Sequence, residues 1–134
     1  MPAAQYNFSI EQGSSFKLSL VYKDADENIK DLTGWCARLM WTTDEGVLQV
    51  FSTTNLDYSL YKFSLAGSDG KLLLQLPAAL TNTFTFESAK YDLELESSNE
   101  MYAGGGKEII RVLYGTVKID LRHSEDNSLL DCQT

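Results

Sequence analysis

With one histidine and two cysteines in 134 residues, the chain is poor in the side chains that most often carry catalysis or bind metal. A structural zinc site takes four ligands, and His123, Cys36 and Cys132 offer neither the number nor a CxxC spacing. A serine hydrolase would have to recruit His123, which stands after the last apolar alternation, and no Gly-x-Ser-x-Gly sequence accompanies it. The expectation is a protein with no catalytic residue, no metal and no cofactor. No apolar run approaches the roughly 20 residues that span a bilayer. Met1-Pro2-Ala3-Ala4-Gln5-Tyr6 has neither a basic region nor an apolar core, so no secretion signal is expected and synthesis is expected in the cytoplasm. Reduced thiols suit that compartment, although a Cys36–Cys132 disulfide stays open. Basic clusters are missing too. The 11 Lys and Arg are scattered against 19 Asp and Glu, a net charge of −8, which excludes nucleic acid and anionic membrane as expected partners.

What the chain has is period-two alternation. Tyr91, Leu93 and Leu95 alternate with Asp92, Glu94 and Glu96, and Val117, Ile119 and Leu121 alternate with Thr116, Lys118 and Asp120. Each set puts an apolar row on one face of a strand and a polar row on the other. The polar and glycine-rich segment Ser97–Gly106 between them suits a hairpin connection. The pair is expected to be antiparallel and central. Tyr6, Phe8 and Ile10 mark a first strand at an edge; Phe16, Leu18, Leu20 and Tyr22 mark a second. After a polar turn at Asp24–Asn28, Trp35, Ala37, Leu39 and Trp41 form one face of a strand, and Cys36, Arg38, Met40 and Thr42 the other. Asp44-Glu45-Gly46 turns the chain into Val47–Phe51, and Ser68-Asp69-Gly70 turns it into Lys71–Leu76. Pro77–Asn82 reads as one helical turn with proline at its start. Residues 52–63 have no firm period.

Short strands with turns about every ten residues indicate an all-β, antiparallel, Ig-like sandwich with at most one short helical turn. It is expected to occupy residues 1–123 as one domain, followed by an acidic C-terminal tail, 124–134. Three local patterns invite a chemical reading and fail on spacing. The carboxylates Asp92, Glu94 and Glu96 stand about 7 Å apart along one strand and make a solvated face rather than a glycosidase pair. Asp24-Ala25-Asp26-Glu27-Asn28 lacks the ordered spacing of a calcium loop. Gly104-Gly105-Gly106-Lys107 lacks the Walker pattern and leads into a strand.

Three segments together resemble small structural proteins of tailed bacteriophages, and the N-terminal domain of phage baseplate upper proteins in particular. They are Glu11-Gln12-Gly13-Ser14-Ser15-Phe16 with its strand, Asp31-Leu32-Thr33-Gly34-Trp35 with its strand, and Tyr91-Asp92-Leu93-Glu94-Leu95 followed by Arg111-Val112-Leu113-Tyr114-Gly115-Thr116-Val117. The likeness covers most of the chain in outline. The apolar strand Trp35–Trp41 and the acidic tail depart from the family pattern and leave the position in the virion open. The resemblance implies a non-enzymatic virion protein of the tail or baseplate, made in the host cytoplasm. Its partners would be other virion proteins, among them copies of itself in a ring or cluster. A carbohydrate- or receptor-binding tip, with Trp35, Trp41 or the tyrosines of 56–63 as stacking platforms, and a capsid-decorating protein are the alternatives. Sandwiches join at open sheet edges. The expected interaction residues are therefore Tyr6, Phe8 and Ile10 in the N-terminal segment and Leu129 and Leu130 in the tail. Gly115, inside a strand, is expected to mark a bulge or a point of close packing.

Overall fold

The structure, a computed structural model, describes residues 3–100 and 105–123. Along them run nine strands: β1 Ala4–Gln5, β2 Phe8–Glu11, β3 Phe16–Val21, β4 Cys36–Thr43, β5 Leu48–Ser52, β6 Lys62–Ala66, β7 Lys71–Leu76, β8 Ser88–Glu100 and β9 Lys107–Asp120. Helical structure amounts to a 3-10 turn, Gly67–Asp69, and one four-residue helix, α1, Ala78–Thr81, behind Pro77. The expected single helical turn at 77–82 is there, and the 3-10 turn is an addition to it. One sheet runs β9–β8–β4–β5 with β1 and β2 both on the free side of β9; the other runs β3–β7–β6. These are the G–F–C–C′ and B–E–D orders of an immunoglobulin-type sandwich. The pairings are antiparallel except for β1 and β2, which run parallel to β9.

The alternations build the core as read. Tyr91, Leu93 and Leu95 on β8, Ala37, Leu39 and Trp41 on β4, and Leu72, Leu74 and Leu76 on β7 are buried and face one another across the sheets. Trp41 sits at the centre, its ring 4.9 Å from Phe51, 5.5 Å from Phe84 and 5.8 Å from Phe86. Each fully buried side chain of this size contributes about 1.5–3 kcal/mol. No alternation was legible in Ile109–Tyr114, and the reason is a bulge. Leu93 pairs with Leu113 but Glu94 pairs with Arg111, which leaves Val112 as an extra residue in β9. Ile110 before the bulge, Val112 in it and Leu113 after it therefore all pack against the core, while Ile109 is 52% exposed.

Leu121 does not continue the buried row of Val117 and Ile119. β9 ends at Asp120, whose carbonyl accepts the Gln12 N–H, and Leu121 beyond it is exposed. The chain is steered out of the sheet there by Gln12, whose Oε1 accepts the Arg122 N–H (2.8 Å) and whose Nε2 donates to the Phe84 carbonyl (2.9 Å). Buried Thr81 completes the knot: its hydroxyl accepts the Gly13 N–H and donates to the Ser14 carbonyl.

Candidate interaction surface

The N-terminal residues expected to reach another chain are built into their own. Ile10 is wholly buried, paired with Ile119. Phe8 is half-buried, with its ring 5.3 Å from Phe16 and 5.0 Å from Tyr91. Tyr6 alone of the three is exposed, at 48%. The expectation that Tyr6, Phe8 and Ile10 all present themselves to another chain is therefore corrected: a parallel ladder with β9 removes Ile10 from the surface and most of Phe8 with it. Between β1 and β2 the backbone is fastened to β8 and β9 by single contacts. Tyr6 N–H donates to the Tyr114 carbonyl, the Tyr91 hydroxyl donates to the Tyr6 carbonyl, and Thr116 N–H donates to Asn7 Oδ1. Gly115 makes this approach feasible, since a Cβ there would stand 2.3 Å from the Tyr6 carbonyl oxygen. Of the two readings of Gly115, close packing holds; the bulge, at Val112, lies three residues earlier in β9. Leu129, Leu130 and the acidic tail lie outside the described residues.

The candidate chemical groups are engaged structurally. Asp92, Glu94 and Glu96 are half-buried on the outer face of the large sheet. Glu94 pairs with Arg38 at 2.9 Å, and Asp92 with Arg111 at 3.4 Å. Sequence reading missed these partners because they are set by the register of three strands, Arg38 opposite Glu94 and Glu94 opposite Arg111. Beside them Cys36, a free half-buried thiol, lines a shallow concavity of about 290 Å³ with Val50, Glu96 and Ile109. Asp24 accepts the N–H groups of Asp26 and Asn28 and thereby shapes its own turn. Among the described residues no three His, Cys, Asp or Glu side chains converge on a point. Trp41, at 1% exposure, is no stacking platform for a ligand; Trp35 is half-buried under Lys30, and Tyr58 is 60% exposed with Lys62 over its ring.

The surface carries its signal elsewhere. Of eleven exposed large hydrophobic residues among those described, six fall between 47 and 60: Val47, Leu48 and Val50 at β5, then Leu56, Tyr58 and Leu60 in the connection to β6. Grouped exposed apolar side chains mark interaction sites far better than scattered ones. The sequence concealed this because Val47, Leu48, Val50 and Phe51 are all apolar, so only the fold separates buried Phe51 from its exposed neighbours.

The motifs behind the resemblance prove to be joints of the fold. Gln12 and Gly13 tie the first turn to Phe84, Thr81 and Arg122. In Asp31-Leu32-Thr33-Gly34, the Asp31 carboxylate accepts both the backbone N–H and the hydroxyl of Thr33, and Leu32 is fully buried. No protein-family model and no curated protein sequence matches the chain.

Proposed function

We propose that this chain is a structural component of a tailed-phage virion, in the tail or baseplate, that works through protein–protein contacts and not through catalysis. The observation that carries the reading is the set of large apolar residues exposed at Val47, Leu48 and Val50 and, in the connection that follows β5, at Leu56, Tyr58 and Leu60. A chain of net charge −8 has no solubility reason to expose six large hydrophobic side chains in fourteen residues, whereas a contact surface needs them. The resemblance of the Gln12-Gly13, Asp31–Gly34 and Tyr91–Leu95 segments to phage structural proteins supplies the setting. Those residues hold the sandwich together, so they speak for a shared architecture, and the virion role rests on the likeness itself.

Exposed Tyr58 favours a second reading, a carbohydrate- or receptor-binding tip, in which its ring stacks on a sugar. Mass spectrometry of purified particles from the genome that encodes this chain tests the first reading. The chain is expected in intact particles at a fixed stoichiometry. Its presence in the lysate but absence from particles would sink the proposal. Glycan binding lost on Tyr58→Ala would favour the second.

A further inference from the structure

Edge strands of sheets are normally blunted by charge, proline or brevity, because their outward N–H and C=O groups invite another strand. Three of the four edges here obey. β2 carries Glu11 and is preceded only by the two-residue β1, β3 carries Lys17, and β6 carries Lys62. Even the part of β9 that β1 does not cover holds Lys107, Glu108 and Arg111. β5, Leu48-Gln49-Val50-Phe51-Ser52, has no charge and no proline, and no charged residue occurs from Gly46 to Leu56.

The direction of its free groups follows from its pairing with β4. Thr43 N–H donates to the Val47 carbonyl and Thr53 N–H to the Ala37 carbonyl. Antiparallel pairs alternate, so Gln49 and Phe51 also bond toward β4 while Leu48, Val50 and Ser52 turn their backbone groups outward. Ser52 is already served: its N–H donates to the Tyr61 hydroxyl and its carbonyl accepts the Asn55 N–H. Among the described residues nothing pairs with the two donors and two acceptors of Leu48 and Val50 on this edge, and their side chains, 63% and 47% exposed, stand on the outer face beside Thr42 and Met40.

We infer that β5 is the site at which a second copy of this chain adds antiparallel about a two-fold axis through Gln49. In that register Leu48 exchanges two backbone hydrogen bonds with Val50 of the other copy, and Val50 exchanges two with its Leu48. Each apolar side chain lies opposite an apolar one. A two-fold axis places the residues nearest to it beside their own copies, so a charge there would repel itself; among the described edge strands of more than two residues, β5 is the one that carries no charge. The isologous contact closes at two copies and joins the two six-stranded sheets edge to edge. The inference rests on the β5 edge and stands whether or not the chain enters a virion.

Analytical ultracentrifugation of the purified chain tests it. A reversible monomer–dimer equilibrium with no larger species is expected. It should strengthen with salt, since two chains of −8 repel at low ionic strength. Val50→Lys and Leu48→Lys should each give a folded monomer, while Val21→Lys on the β3 edge leaves the dimer intact. In a chain with both native cysteines changed to serine, Gln49→Cys should cross-link to its own copy on mild oxidation. The two Cα atoms would form a non-hydrogen-bonded pair about 4.5 Å apart, within disulfide reach. Ser52→Cys should not cross-link. A wild-type chain monomeric at high salt up to its solubility limit would overturn the inference. So would a dimer indifferent to Val50→Lys, or open-ended polymers.

Discussion

Alanine at position 115 tests how the first strand is held. A Cβ there would lie 2.3 Å from the Tyr6 carbonyl oxygen, 2.6 Å from Asn7 Oδ1 and 2.9 Å from the Tyr6 carbonyl carbon. Two of these neighbours are backbone, and the third is tied to the Thr116 N–H, so none can yield by a side-chain rotation. Non-bonded carbons settle near 3.5–4.0 Å, so the N-terminal segment must retreat by about 1 Å. Three hydrogen bonds depend on its present place: Tyr6 N–H to Tyr114, Tyr91 hydroxyl to Tyr6, and Thr116 N–H to Asn7. At about 1 kcal/mol net for each, their loss costs about 3 kcal/mol, offset by about 0.4–1 kcal/mol from the stiffer unfolded chain. Urea denaturation of Gly115→Ala should therefore show about 2–3 kcal/mol of destabilisation. Hydrogen exchange should rise at Phe8–Glu11 and change little in β7. Tyr91→Phe in the same background should cost much less than it does alone, because its acceptor has already moved. An alanine variant within about 0.5 kcal/mol of wild type, with unchanged exchange at β2, would refute the account.

Leu93→Asp and Ile119→Asp should abolish soluble folding, since each buries an unpaired carboxylate in the shared core. Glu94→Ala should cost less than about 1 kcal/mol, because its pair with Arg38 is partly exposed; expression and melting of the three variants check both statements. Burial first, then Tyr6 and Asp92 nearby, push the Tyr91 phenol up to about 12 from its ordinary 10.0. The folded state thus holds that proton more tightly than the unfolded one. Its contribution is intact below about pH 10 and lost as pH rises toward about 12, and Tyr91→Phe should flatten this part of a melting-versus-pH curve. EDTA should leave the melting temperature unchanged; a drop of several degrees would point first to Asp24-Ala25-Asp26-Glu27.

The face assignment of β8 was readable because acidic and apolar residues alternate without exception from Tyr91 to Glu96, and a carboxylate cannot be turned inward cheaply. The same reasoning worked for β4 and for the proline-led turn at 77–82. It failed where identity alone does not separate faces. In β9 the bulge at Val112 shifts the phase of an apolar run, and past Asp120 the chain follows Gln12 and not the pattern. Tyr6, Phe8 and Ile10 announced a strand, but nothing local says whether its partner lies in the same molecule. That partner, β9, is more than a hundred residues away. The exposed edge at β5 was hidden for a related reason: three of its five residues are apolar, and burial there depends on which neighbours the fold supplies.

The parallel pairing of β1 and β2 with β9 also has a consequence for how the chain is made. Asn7 bonds to Thr116, and Gln12 to Arg122, across 109 and 110 positions of sequence. On a ribosome, Asn7 and Gln12 must therefore wait for more than a hundred further residues before they find their place. Throughout that interval Phe8 and Ile10 have no sheet to enter, while β3 to β7 can already meet. Completion of the large sheet is a late, long-range closure, of the kind that slows folding and leaves an apolar segment open to chaperones and to neighbouring chains.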